Sequence, residues 1–201
     1  MSSEIMSLEM DVFCLLLLIR ILYQMYINRE QNDHWNYFYY TIAWACVYLF
    51  MDAIWIMNVK HLLTFSKIQS GIFNSFYFCS LAMLVCSWYI YVQKTLHSAV
   101  LKHKKILVLT FIPLIFFIGS SLLSYWTHGL FVIDQAGNYH RGKLLPFYFL
   151  ILFAYILYLS IKAGFLSKKA KNYLYQKEYK VIARFSFLPF ITALIQITVD
   201  H

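Results

Sequence analysis

Six long apolar runs limit what this chain can fold into more than any motif does. Each run is long enough to cross a bilayer as a helix, which takes about 20 predominantly apolar residues. None alternates apolar and polar residues in the manner of a membrane β-barrel strand. The runs cover residues 11–27, 35–59, 72–93, 106–127, 145–164 and 181–199. The sequence therefore predicts a polytopic membrane protein.

Composition supports this class and leaves no room for a second domain. Of the 201 residues, 61% are hydrophobic and 13% are charged, whereas about a quarter of the residues in a typical soluble domain are charged. Six spans with short connections use the whole length, so residues 1–201 are predicted to form one all-α helical bundle. A signal segment at the first run is disfavoured, because Glu4, Glu9 and Asp11 replace the basic residues such a segment needs.

The basic residues predict the orientation of the bundle. They concentrate in the odd-numbered connections, which the positive-inside rule assigns to the cytoplasm. The third connection holds Lys94, Lys102, Lys104 and Lys105, and the fifth holds Lys162, Lys168, Lys169, Lys171, Lys177 and Lys180. The N-terminus is then outside, and an even number of spans leaves the C-terminus outside, as if a seventh span were missing. The net charge of +8 is thus explained by basic residues that face anionic lipid headgroups, and it does not require nucleic acid as a partner.

The loop over residues 130–142 is the longest connection that mixes strand-like, turn and charged residues. An apolar half precedes a turn-rich centre with Gly137 and Asn138, and a short second half follows. Gly and Asn supply the positive backbone dihedrals of a tight turn. We expect a hairpin-like loop on the extracellular side, and the alternative is an ordinary structured connector.

Polar groups at membrane depth are the candidates for function. Asp52, Trp55 and Asn58 are spaced three residues apart and so share one helical face. A buried carboxylate must face the bundle interior and find a partner, as either a ligand site or a structural clasp. For any single Trp or Tyr near a span end, the interfacial aromatic belt is the favoured interpretation. The predicted ligand-binding residues are Asp52, Trp55, Asn74, Trp88, Tyr89, Asp134, Tyr139 and Arg141.

Catalysis is not indicated by any spacing in the chain. The histidines lie mostly in loops or at span ends, and no phosphate-binding loop, nucleophile elbow or Cys/His pair is present. The four cysteines fall inside apolar runs without metal-site spacing, which is typical of packing residues. We therefore predict no catalytic residue, no metal and no cofactor.

Several short motifs together resemble a known membrane region. They are Asp52-x-x-Trp55, Asn74, Ser87-Trp88-Tyr89-x-Tyr91, Pro113, Phe131-x-Ile133-Asp134, Tyr139-x-Arg141-Gly142, Tyr155, Pro189 and Gln196. The set is similar to the N-terminal sensor region of bacterial GGDEF-domain proteins, the diguanylate cyclases. That resemblance implies a multi-helix receptor module, seven helices in the family, in front of a cytoplasmic cyclase. This chain departs from the family in having no GGDEF domain and in stopping after six runs.

The leading hypothesis is a sensory module in a bacterial inner membrane. It would bind a small extracellular ligand beneath the loop and relay the signal to a cytoplasmic output of the cyclic-di-GMP type. Asp52 or Asp134 would meet a cationic or hydrogen-bonding group of that ligand, and the aromatic residues would form its walls. The alternatives are a small transporter or channel subunit and a structural partner of another membrane protein, and a homodimer is compatible with each.

Overall fold

The computed structural model describes residues 3–27, 33–59, 62–63, 65–135 and 139–185, and most of these residues are helical. A short 3₁₀ helix, Ala99–Lys102, precedes the fourth α-helix. The α-helices are α1 Ser3–Ile27, α2 Asp33–Val59, α3 Lys67–Thr95, α4 Lys104–Thr127, α5 Leu145–Lys169 and α6 over residues 173–185. The predicted all-α class is confirmed.

Five of these helices are long and apolar enough to cross a membrane. The matching segments are Leu8–Ile27, Asn36–Asn58, Lys67–Thr95, Lys104–Thr127 and Leu145–Lys169. Many large apolar side chains on these helices are exposed, which in a membrane protein is the surface that lipid tails cover. The sixth predicted run begins within α6 and otherwise lies outside the described residues, so a sixth span stays a prediction.

Helix α3 is the centre of the bundle. It packs against α2, α4 and α5 and against the first strand of the loop. Its N-cap residue is Ser66, where a capping box pairs the Ser66 hydroxyl with the backbone N–H of Gln69 and the Gln69 side chain with the backbone N–H of Ser66. The two reciprocal hydrogen bonds satisfy N–H groups that a helix start otherwise leaves free. They explain why α3 starts five residues before the predicted apolar run.

Gly71 allows α3 and α4 to approach each other closely. A Cβ atom at Gly71 would lie 2.2 Å from Cδ2 and 2.7 Å from Cε2 of the Tyr125 ring. Gly71→Ala is therefore expected to destabilise the protein by about 2 kcal/mol, the usual cost of overpacking. The comparison is Gly119→Ala, where nothing lies within 4 Å of the added methyl group. Apparent unfolding temperatures in nanodiscs check this, and the Gly71 penalty should disappear in a Tyr125→Ala background.

The loop after α4 contains two short strands, β1 (Phe131–Ile133) and β2 (Tyr139–Arg141), which pair antiparallel with Phe131 opposite Arg141. Phe131 and Ile133 are buried and belong to the main core cluster together with Phe78 of α3. The Phe78 and Phe131 rings stack with centroids 6.0 Å apart. The first half of the loop is thus packed into the bundle, while its exposure to the extracellular side stays a prediction.

Ser124 holds β1 at the end of α4. Its hydroxyl oxygen accepts hydrogen bonds from the backbone N–H groups of Leu130 and Phe131, at 2.9 and 3.1 Å, and all three residues are fully buried. Ser124→Ala is expected to destabilise the protein by roughly 2 kcal/mol, because buried donors lose their acceptor. In the control Ser121→Ala, the lost hydroxyl only donates to the Phe117 carbonyl of its own helix. Equal unfolding temperatures for the two variants would contradict the prediction.

Lys162 does not lie in the fifth connection, to which the sequence analysis assigned it. It lies inside α5, and its ammonium donates to Gln93 Oε1 at 2.6 Å and to Ser98 Oγ at 2.7 Å. The Gln93 side chain is fully buried on α3. A charged residue can thus be accommodated within a membrane helix when neighbouring segments supply polar partners. The prediction that Lys162 belongs to the fifth connection is wrong, although its ammonium reaches Ser98 in the connection after α3.

Candidate functional site

Three elements meet in an aromatic junction at the hairpin end of the bundle. Trp55 of α2 stacks on Tyr77 of α3, with ring centroids 6.5 Å apart and an interplanar angle of 19°. The same indole meets Tyr139 of β2 edge to face at 5.8 Å. Tyr139 reaches the junction because the antiparallel register places it opposite the buried Ile133. The hairpin is thereby joined to α2 and α3 through aromatic contacts, each worth about 1 kcal/mol beyond its buried area.

Asp52 lies next to this junction, one helical turn before Trp55 on α2. Its carboxyl lies close enough to the Tyr77 hydroxyl and to the Asp11 carboxyl of α1 to interact with both. The Tyr77 hydroxyl is also 3.3 Å from the hydroxyl of Tyr48, on the same helix as Asp52. Two carboxyl groups and two phenols from α1, α2 and α3 therefore form one polar cluster, which we call the carboxylate cluster.

The charge of the carboxylate cluster is not balanced by a basic side chain in any described contact. Two adjacent carboxylates in a poorly solvated site repel each other strongly, and a proton or a cation between them relieves the repulsion. Asp11 Oδ2 is buried and has no hydrogen-bond partner among the described residues. The cluster is therefore suited to hold a positive charge.

Tyr139 is the member of the junction that lies outside the candidate membrane spans. Burial raises the pKa of its phenol to about 12, although nearby Arg141 opposes the rise. The phenol therefore stays neutral throughout the physiological range, and it contributes an aromatic face and a hydroxyl donor to the junction.

Of the predicted ligand-binding residues, the structure brings Asp52, Trp55 and Tyr139 together. Asn74 lies one helical turn from Tyr77 on α3 and is 1% exposed. Its amide nitrogen donates to the Ser70 carbonyl at 2.7 Å. These four residues occupy the hairpin end of the bundle, as the ligand hypothesis requires.

Trp88 and Tyr89 lie farther along α3, in the half of the bundle away from the hairpin. Twelve residues of helix separate Tyr89 from Tyr77, about 18 Å at 1.5 Å per residue. Tyr89 packs edge to face against Phe111 and Tyr155 at 5.7 Å each. The structure does not bring this pair to the junction, because each helix turn carries the chain 5.4 Å along the axis.

Asp134 and Arg141 lie on the hairpin itself. Asp134 Oδ2 is 3.4 Å from His140 Nε2, and the His140 side chain is 61% exposed. Arg141 is also exposed. These charges are at the rim above the junction, where they can attract or repel a ligand without enclosing it.

Tyr77, Tyr48 and Asp11 complete the cluster but were not among the predicted site residues. Two of them carried a usable signal: Tyr48 precedes Asp52 by four residues and Tyr77 follows Asn74 by three, and both spacings put side chains on one helical face. Asp11 had been interpreted only as evidence against a signal segment. Its contact with Asp52 depends on how α1 packs against α2, which no spacing within one helix can predict.

The described residues contain no group of three His, Cys, Asp or Glu side chains arranged to hold a metal ion. The candidate site has acidic and aromatic walls. Comparison of the chain with protein-family models, characterised proteins and solved structures gives no match.

Proposed function

We propose that this protein is a membrane-embedded receptor module that binds a small cationic ligand beneath the hairpin. The observation that carries the proposal is the contact of Asp52 with Tyr77, on the face that also presents Trp55 to Tyr139. Carboxylates supply charge and aromatic rings attract cations through their faces. An acidic, aromatic-walled site of this kind favours a cation over a neutral or anionic molecule.

In this proposal the bundle sits in a bacterial inner membrane with its N-terminus and hairpin outside. Six spans are formed, with a seventh expected in relatives that carry a cytoplasmic output of the cyclic-di-GMP type. Support comes from the lysine-rich odd connections and from the resemblance to sensor regions of GGDEF-domain proteins.

Helix α3 can transmit a signal from the site because it runs from the hairpin end of the bundle to the opposite end. Tyr77 lies at the hairpin end and Gln93, which holds Lys162 of α5, lies at the other end. A ligand that binds one helix arrangement more tightly than another shifts the population towards it. In this proposal ligand binding is relayed as a change in the position of α3 relative to α5.

The test is equilibrium binding to the full chain in nanodiscs. Isothermal titration with methylammonium and tetramethylammonium chloride should give saturable binding, and sodium chloride at equal ionic strength measures the contribution of screening. Hydrogen exchange should also change around Lys162 when the site is filled. A chain that binds neither organic cation would refute the proposal.

The Asp11–Asp52 contact also favours a second candidate, a small cation transporter. Paired carboxyl groups at membrane depth are common along ion and proton pathways. The two functions differ in one readout, since a transporter moves the bound cation across liposomes whereas a receptor binds it without flux. Uptake of radiolabelled methylammonium into proteoliposomes decides between them.

A further inference from the structure

Two buried polar side chains of α3, on the hairpin side of Tyr77, have oxygens without partners among the described residues. Ser70 and Asn74 of α3 are each 1% exposed. Neither Ser70 Oγ nor Asn74 Oδ1 has a hydrogen-bond partner among the described residues. Buried polar atoms are nearly always paired, so these two oxygens are the candidates in the described part of α3 to accept hydrogen bonds from a ligand.

The two residues share a face of α3 with Tyr77. Positions 70, 74 and 77 are spaced by four and three residues, which stacks their side chains along one side of the helix. Tyr77 holds Asp52 and stacks on Trp55. Ser70 and Asn74 continue that face towards the hairpin end, and Asp11 Oδ2 is a third unpartnered oxygen on the α1 side of the cluster.

We infer that the ligand is a small cation with several N–H donors, such as a primary ammonium or a guanidinium group. This inference rests on the proposed function and narrows its ligand class. The three unpartnered atoms named above are oxygens that accept hydrogen bonds. Two further buried atoms lack a partner among the described residues, Gln93 Nε2 and the Tyr148 hydroxyl, and they belong to other parts of the bundle. Aromatic walls alone would attract a fully methylated ammonium equally well, but such a cation has no N–H group and would leave the oxygens unpaired.

The unpartnered oxygens would therefore determine which cations the site prefers. A site built to hydrogen-bond a ligand group discriminates strongly against an analogue that lacks it, because the buried partners are then left unpaired. A metal cation such as sodium would use the oxygens but not the aromatic faces of Trp55, Tyr77 and Tyr139. An organic cation with N–H groups is the class that uses both.

The experiment compares methylammonium, guanidinium, tetramethylammonium and sodium on the full chain in nanodiscs. Methylammonium or guanidinium should bind at least tenfold more tightly than tetramethylammonium. Ser70→Ala and Asn74→Leu should each reduce that preference threefold or more. The matched control is Ser80→Ala, which removes a buried α3 hydroxyl that already donates to the Tyr77 carbonyl at 2.7 Å.

The outcomes separate this inference from the function on which it rests. Tetramethylammonium or sodium binding as tightly as methylammonium, or a preference unchanged in Ser70→Ala, would overturn the inference and leave a cation site in place. Loss of binding by all four cations would overturn the proposed function itself. Ser70→Ala removes a single oxygen, so unfolding temperatures close to those of Ser80→Ala would confirm that both variants are folded.

Discussion

Asp52→Asn is expected to weaken binding of methylammonium about 30-fold. Asparagine keeps the shape of the side chain and can still accept a hydrogen bond from Tyr77, but it cannot carry the negative charge that Asp52 contributes to the pair with Asp11. A hydrogen bond to a charged partner contributes about 2 kcal/mol, and each 1.4 kcal/mol is a factor of ten in affinity. Isothermal titration of the variant in nanodiscs measures the change.

The same variant should also raise the unfolding temperature of the ligand-free protein. Replacing one of two adjacent carboxyl groups by a neutral amide removes the cost of burying their negative charge, so stability and affinity change in opposite directions. A purely structural clasp between Asp52 and Tyr77 would instead lose stability. The control is Asp134→Asn on the half-buried hairpin rim, where we expect less than a threefold change in affinity. Equal effects of the two variants would place the ligand outside the carboxylate cluster.

The helical class and most of the span positions could be predicted from the sequence because apolar composition alone determines them. The predicted fourth run, residues 106–127, differs from α4 (Lys104–Thr127) by two residues at one end. Larger differences arise where polar residues extend a helix. At the start of α3, the hydrogen bonds of Ser66 and Gln69 add a turn that hydropathy does not register.

The composition of the site was harder to predict, for a physical reason. A helix that is apolar all round has no polar face to indicate its rotation, so the sequence shows that Asp52 needs a partner but not which helix supplies it. The i, i+3 spacing correctly put Asp52 and Trp55 on one face. The partners Asp11 and Tyr77 come from two other helices, and the separation of Trp88 and Tyr89 from the junction reflects the length of α3.

Gly142 links the hairpin to the rest of the bundle, and its replacement by alanine is the prediction with the largest effect on stability. A Cβ atom there would lie 2.2 Å from the Gly129 carbonyl oxygen and 2.4 Å from the Leu130 carbonyl carbon. Both are backbone atoms, and the Gly142 N–H donates to the Leu130 carbonyl at 2.8 Å. Relief of the clash must therefore break the pairing of the two chain segments.

We expect Gly142→Ala to destabilise the protein by about 3 kcal/mol or more, at or above the upper end of the usual overpacking cost. Gly129→Ala is the matched control, because its Cβ atom would meet only side-chain atoms, the nearest being Leu144 Cδ1 at 3.3 Å. Apparent unfolding temperatures in nanodiscs and hydrogen exchange at the Leu130 and Phe131 amides measure the effect. Similar values for the two variants would mean that the hairpin does not pack as described.

The consequence of Gly142→Ala for binding follows from the position of Tyr139. Tyr139 reaches Trp55 only while β2 is paired with β1, so disruption of the hairpin removes one wall of the junction and leaves the carboxylate cluster in place. Methylammonium affinity should then fall less than it does in Asp52→Asn, and addition of Tyr139→Ala to Gly142→Ala should cause no further loss. A further loss in that double variant would show that Tyr139 contacts the ligand independently of the hairpin.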